Sequence, residues 1–220
     1  MRFVILAAIV FLVSFMPQKK TRIVFFGDSI TQLGAQAGGF IRRIDSMARL
    51  ENKGENYELI GAGISGNKVY DLYFRMDSDV IMKNPDVVII YIGVNDVWHK
   101  VSSGTGTDAN RFELFYNGML KKFKEKNIRC ILCTPAVIGE KTDNTNQQDG
   151  DMNRYANIVR DIAKKNNLPL IDLRNEFMNY NKANNPENKE QGILTRDRVH
   201  LNDKGNQLVA ELMWKMIKSN

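Results

Sequence analysis

Short, unbroken apolar runs alternate along this chain with segments in which apolar residues recur every three or four positions. The runs fall at Ile23-Val24-Phe25-Phe26, Tyr57-Glu58-Leu59-Ile60, residues 87–92, 128–133 and 168–172. A run that is apolar on both faces reads as a buried parallel strand. The run at 87–92, Val-Val-Ile-Ile-Tyr-Ile, is the strongest and belongs at the centre of the sheet. Between the runs, Phe40, Ile41, Ile44, Met47, Ala48 and Leu50 mark a helix that Gly54 and Asn56 end. Residues 69–82 predict a second helix, broken at Asn84-Pro85. Phe112, Phe115, Met119, Leu120 and Phe123 mark a third, and Met152, Tyr155, Ile158, Val159 and Ile162 a fourth. A short helix follows the fifth run, and the last helix starts near Leu201 and carries Leu208, Val209, Leu212, Met213, Met216 and Ile217. Residues 102–107 and the polar stretches 139–150 and 182–191 read as loops, the second as a mobile surface loop. Strand and helix thus alternate five times, with no internal repeat, which predicts one parallel sheet with helices on both faces and right-handed crossovers.

Polar clusters fall just after the strands. Asp28-Ser29 follows the first, Gly66-Asn67 the second and Gly93-x-Asn95-Asp96 the third. In an open parallel sheet these ends share one edge, where ligands bind. Ser29 is there either a capping residue of the next helix or a nucleophile. A nucleophilic serine needs a base. His200, one of two histidines, sits in Asp197-Arg198-Val199-His200 just before the last helix. Three residues of separation in a turn let Asp197 reach the imidazole and fix its tautomer. Asp203 is the other nearby carboxylate, expected to be solvated. Donors for a developing oxyanion are available from the Ser29 N–H, the Gly66 N–H and the Asn95 amide.

The four blocks Gly27-Asp28-Ser29-Ile30, Gly66, Gly93-x-Asn95-Asp96 and Asp197-x-x-His200 resemble, in order, those of the SGNH hydrolase superfamily, the GDSL esterases and lipases. The resemblance covers the chain from Ile23 to the last helix. It implies a three-layer α/β/α sandwich with a flavodoxin-like five-stranded parallel sheet of order 2-1-3-4-5. It also implies Ser29 as nucleophile, His200 as base, Asp197 as its orienter, and Ser29, Gly66 and Asn95 as oxyanion donors. Arg198 stands where many relatives have glycine. Asp28, Trp98 and Arg198 are candidates for substrate contact; Asp28 is also expected to shape its turn through local hydrogen bonds. Trp98, with His99, follows the Asn95 block on what reads as a loop. The resemblance implies hydrolysis of carboxylic esters and, with an N-terminal export signal and few insertions, first of all of O-acetyl groups on carbohydrates; small acyl groups are favoured because no long apolar insertion provides a lipase lid. The alternatives are a lysophospholipase or thioesterase acting on longer acyl chains, and a non-catalytic binding protein on the same fold. No metal or organic cofactor is expected.

Composition changes this picture little. The 220 residues, 43% hydrophobic and 25% charged, suit one domain. A net charge of +6 is spread along the chain without a basic run, which argues against nucleic acid as a partner. Cys130 and Cys133 form a C-x-x-C inside a predicted strand. Residues three apart on a strand face opposite ways, so these thiols read as buried and inert. The N-terminus does add something. Arg2 precedes an uncharged run from Phe3 to Met16, followed by Pro17, Lys19, Lys20 and Arg22. That run is too short to span a bilayer comfortably and fits a secretory signal. Residues 1–20 are therefore expected to be a signal peptide or, since Ser14-Phe15-Met16-Pro17 offers no small-residue cleavage site, an uncleaved anchor. Residues 21–220 are expected to form the single hydrolase domain of an exported protein with no other stable membrane span.

Overall fold

The computed structural model describes residues 19–219; residues 1–18 of the expected export segment lie outside the described residues. Five parallel strands, β1 (Thr21–Gly27), β2 (Tyr57–Gly63), β3 (Val87–Tyr91), β4 (Arg129–Cys133) and β5 (Leu170–Ile171), form one sheet in the order 2-1-3-4-5. The expected topology is therefore found, with β3 in the middle. Burial follows position in the sheet. Every residue of β3 is buried, whereas edge strand β2 is largely half-exposed. Eight helices connect and cover the strands: α1 (Ser29–Gly34), α2 (Phe40–Leu50), α3 (Val69–Asp79), α4 (Val94–Ser102), α5 (Ala109–Glu125), α6 (Asp149–Asn166), α7 (Leu173–Asn184) and α8 (Asp203–Ser219). Helix α2 packs on α8, and α5 packs on both α3 and α6, giving the two outer layers. Among the described residues no helix is long and apolar enough to cross a membrane.

The registers fix the site edge. Gly27 at the end of β1 lies opposite Gly63 of β2 and Tyr91 of β3. A Cβ on Gly27 would collide with the Thr31 side chain and the Tyr91 carbonyl, so only glycine lets α1 start this close to the sheet.

Several boundaries differ from the sequence expectation. Helix α2 stops at Leu50, and Gly54–Asn56 is a separate 3₁₀ turn. The second predicted helix ends at Asp79, and Ile81–Lys83 is again a 3₁₀ turn. The last helix begins two residues late, at Asp203, and β5 is only two residues long. Helix α4 lies where a loop was expected; its apolar positions Val94, Val97 and Val101 are helically spaced, but Val101 is exposed, so the amphipathic signal is weak. The stretch 139–150 is not a surface loop at its start: residues 134–140 are buried, Glu140 included, and the last two residues, Asp149 and Gly150, open α6. Cys130 and Cys133 are free and buried, and burial pushes the Cys130 thiol up to about 12 and that of Cys133 higher still.

Candidate active site

Ser29 is the first residue of α1, not its cap. The cap is Asp28, whose Oδ1 accepts the Ile30 N–H at 2.9 Å. Asp28 is 2% exposed, and its side chain is engaged in this local cap. Burial, reinforced by the nearby Asp96 and opposed by the Ile30 N–H and by Arg75, raises its pKa to about 7. The Ser29 N–H is one of the donors that the first turn of a helix leaves without an intrahelical partner.

The structure brings Ser29, His200 and Asp197 together across 171 residues of sequence. His200 Nε2 lies 2.9 Å from Ser29 Oγ, and His200 Nδ1 lies 2.8 Å from Asp197 Oδ2. The other Asp197 oxygen accepts the backbone N–H of His200 at 2.7 Å and of Val199 at 3.2 Å. Burial works to raise the Asp197 pKa, but these hydrogen bonds from His200 and Val199 outweigh it and hold the carboxyl below its usual range. Asp203 is exposed and pairs with Arg43 instead. The second histidine, His99, lies on α4, where burial and the Lys68 ammonium hold its imidazole below the ordinary range.

Gly66 occupies the third position of the turn closed by the Asn67 N–H to Ile64 O bond, with φ +78°. A side chain there would meet nothing, so glycine is required by the backbone angle and not by space. Asn95, 3% exposed, donates one amide N–H to Asn67 O at 3.1 Å; the amide carries a second N–H. Its neighbour Asp96 is fully buried and accepts the Val69 N–H, tying the start of α3 to α4. Burial raises Asp96 to about 7 against the pull of Val69 and Lys68.

Three residues matter here in ways the sequence did not announce. Arg75 of α3 donates to Gly27 O at 2.7 Å, to Ala62 O at 3.1 Å and to Asn67 Oδ1 at 2.7 Å, and lies 4.6 Å from the Phe26 ring centre. It clamps the ends of β1 and β2 and, through Asn67, the support of Asn95. A lone arginine on an amphipathic helix gives no hint of this. Glu140, 1% exposed, accepts the N–H groups of Ile193, Leu194 and Thr195 at 2.8, 2.6 and 2.7 Å. It thereby anchors the strand-less segment that leads into Asp197. Its polar neighbourhood in sequence hid it. Arg198 adopts φ +78°, the left-handed conformation that glycine favours. The Arg198 carbonyl accepts the Gly139 N–H at 2.8 Å. Trp98 is half-buried on α4, one turn beyond Asn95, and not on a loop.

The model of the GDSL-like Lipase/Acylhydrolase family matches residues 25–208. An acetylxylan esterase of Geobacillus stearothermophilus is 28% identical over 214 residues, covering 89% of this chain and 93% of that protein. The crystal structure of another acetyl xylan esterase, AlAXEase, superposes with a TM-score of 0.88 at 58% identity, covering 89% of this chain and 99% of the other. Catalytic mutants of a Geobacillus stearothermophilus acetylxylan esterase, in which a serine, an aspartate or a histidine is replaced by alanine, superpose at a TM-score of 0.79 and 25–26% identity. Each covers 92% of this chain and 96% of its own.

Proposed function

This chain belongs to the GDSL-like lipase/acylhydrolase family of ester-hydrolysing enzymes, and from that premise we propose that it removes O-acetyl groups from carbohydrates with a Ser29–His200–Asp197 triad. The observation that carries the reading is the unbroken hydrogen-bonded chain from Ser29 Oγ through both ring nitrogens of His200 to Asp197. Ser29 Oγ attacks the acyl carbon while His200 Nε2 takes its proton. Asp197 holds Nδ1–H, fixing the tautomer and stabilising the imidazolium. The N–H groups of Ser29 and Gly66 and the free amide proton of Asn95 face the negative charge on the tetrahedral oxygen. His200 then protonates the departing sugar alkoxide, and water releases acetate by the reverse sequence. The carbohydrate acetyl ester as substrate is supported by the similarity to acetylxylan esterases along nearly the whole chain.

Covalent labelling by a fluorophosphonate, followed by peptide mapping, is expected to mark Ser29. Ser29→Ala and His200→Ala are each expected to lower kcat by on the order of 10⁴-fold or more with the unfolding transition retained. Turnover near that of the unmodified enzyme in either folded variant would refute the triad. A preference for octanoyl over acetyl p-nitrophenyl esters would refute the acetylesterase reading.

A further inference from the structure

A cleft of about 560 Å³ opens between α4 and the segment that carries Asp197 and His200. Two of its lining residues neighbour the site in sequence: Trp98 lies one helical turn beyond Asn95 and Arg198 two residues before His200. Gln148, Lys141, Asp151 and Glu190 are among the other polar residues that line it.

Three features define what this cleft can take. First, Gln148 Nε2 is buried and has no hydrogen-bond partner among the described residues, a donor an outside acceptor could meet. Second, the lining charges balance in number, and two ion pairs involve them. Arg198 Nε lies 3.0 Å from Glu190 Oε1, and Asp151 lies 3.6 Å from the Lys100 ammonium, while the two cations and two anions of the lining balance. The lining thus carries no net formal charge, which suits a neutral ligand. Third, Trp98 offers a large, rigid, half-buried ring beside these polar groups. A flat apolar face flanked by amide and charged groups matches a pyranose, which has C–H faces and a hydroxylated rim. A long acyl chain would bury those polar groups without partners.

We propose that this cleft is the subsite for a neutral sugar ring on the leaving-group side of the ester, with Trp98 under the ring face, Gln148 Nε2 donating to a ring or hydroxyl oxygen, and the Arg198–Glu190 pair excluding acidic sugars. The proposal rests on the carbohydrate acetylesterase reading and deepens it. The test compares kcat/KM on acetylated xylotriose with kcat/KM on p-nitrophenyl acetate, which has no sugar to place. In Trp98→Ala and in Gln148→Ala that ratio falls at least tenfold, mainly through a higher KM for the oligosaccharide. Gln148→Ala removes only a side chain whose donor is unmet, so its result stands even where Trp98→Ala folds poorly. Acetylated xylotriose bearing a glucuronic acid is turned over at least tenfold less efficiently than the neutral one. Unchanged ratios in both variants, with the oligosaccharide still hydrolysed, would overturn the subsite alone. Equal or better turnover of the acidic oligosaccharide would overturn its neutrality. No turnover of acetylated xylotriose by the unmodified enzyme, with p-nitrophenyl acetate still cleaved, would overturn the carbohydrate reading itself.

Discussion

Ser29, Gly66 and Asn95 stand at the ends of β1, β2 and β3, while Asp197 and His200 stand on a segment whose sole regular feature is the Thr195–Leu201 bridge. Position in the first half is set by the parallel register that places Gly27 against Gly63 and Tyr91. Position in the second is set by a buried carboxylate, Glu140, that gathers three consecutive backbone N–H groups. A ladder of many bonds shares the burden, so loss of one contact is spread over its neighbours. A single anion concentrates it. The two halves of the site are therefore expected to fail differently, and the 2.9 Å bond between Ser29 and His200 is where both failures are read.

The strongest way to break this contrast is to remove the anchor of each half. Glu140→Ala strands three N–H groups, two of them buried, each losing a charge-assisted bond of about 1.5–3 kcal/mol. Allowing for relaxation, about 3–5 kcal/mol of stability is expected to go, with kcat reduced by about 10² or more as His200 drifts. Arg75→Met removes the clamp on the strand ends but leaves their ladder, so a loss of about 1–2 kcal/mol and about tenfold in kcat is expected. Thermal unfolding and p-nitrophenyl acetate kinetics measure both. A larger loss of stability in Arg75→Met than in Glu140→Ala would invert the comparison.

The same contrast explains what the sequence disclosed. Ser29, Gly66 and Asn95 were legible because each follows an apolar run, and strand ends of one parallel sheet converge by topology alone. The strand order follows from the same alternation. His200 and Asp197 were legible only as a motif, since nothing in composition predicts that residues 139–140 and 190–200 meet. Glu140 could not be found by pattern, because a carboxylate in a polar stretch looks solvated until its partners, fifty residues on, are folded against it. Helix α4 escaped because its exposed Val101 blurs the apolar stripe, and Asp28 displaced Ser29 as the cap because a sequence alone does not choose between adjacent capping residues.

Electrostatics sharpen the contrast further, because the halves respond to pH with opposite sign. Asp28 and Asp96, on the strand-end side, have folded pKa values of about 7, above the ordinary carboxylate value of 3.8. The folded state thus holds protons that the unfolded chain has lost, and the stability these groups contribute is full below pH 3.8 and falls as pH rises through 7. Asp197, on the loop side, is held below 3.8 by His200 and Val199. Its contribution is present above that value and is lost as pH falls below it. The midpoint of thermal unfolding is therefore expected to be highest in the mildly acidic range and to drop by several degrees between pH 5 and pH 8. Asp28→Asn keeps an acceptor for the Ile30 N–H while removing the titration, so it is expected to flatten the drop. A melting profile in which Asp28→Asn falls as steeply as the unmodified protein would remove Asp28 from this account.

The smallest effect tests how firmly the loop half imposes its shape. Arg198 holds φ +78° two residues before His200, a conformation that costs a non-glycine residue about 1–2 kcal/mol. Arg198→Gly relieves that cost but frees the unfolded chain by roughly 0.5–1 kcal/mol and forfeits a partly exposed pair with Glu190 worth at most about 1 kcal/mol. The sum is near zero, and the unfolding midpoint is expected to move by no more than about 3 °C. Arg198→Ala separates the contributions, because it loses the same ion pair yet keeps the unfavourable φ. Alanine is accordingly expected to be less stable than glycine at this position by about 1 kcal/mol. Equal stability of the two would mean that the turn relaxes once the side chain is gone, and that Glu140 and the Gly139–Arg198 bond do not by themselves dictate the backbone around Asp197 and His200.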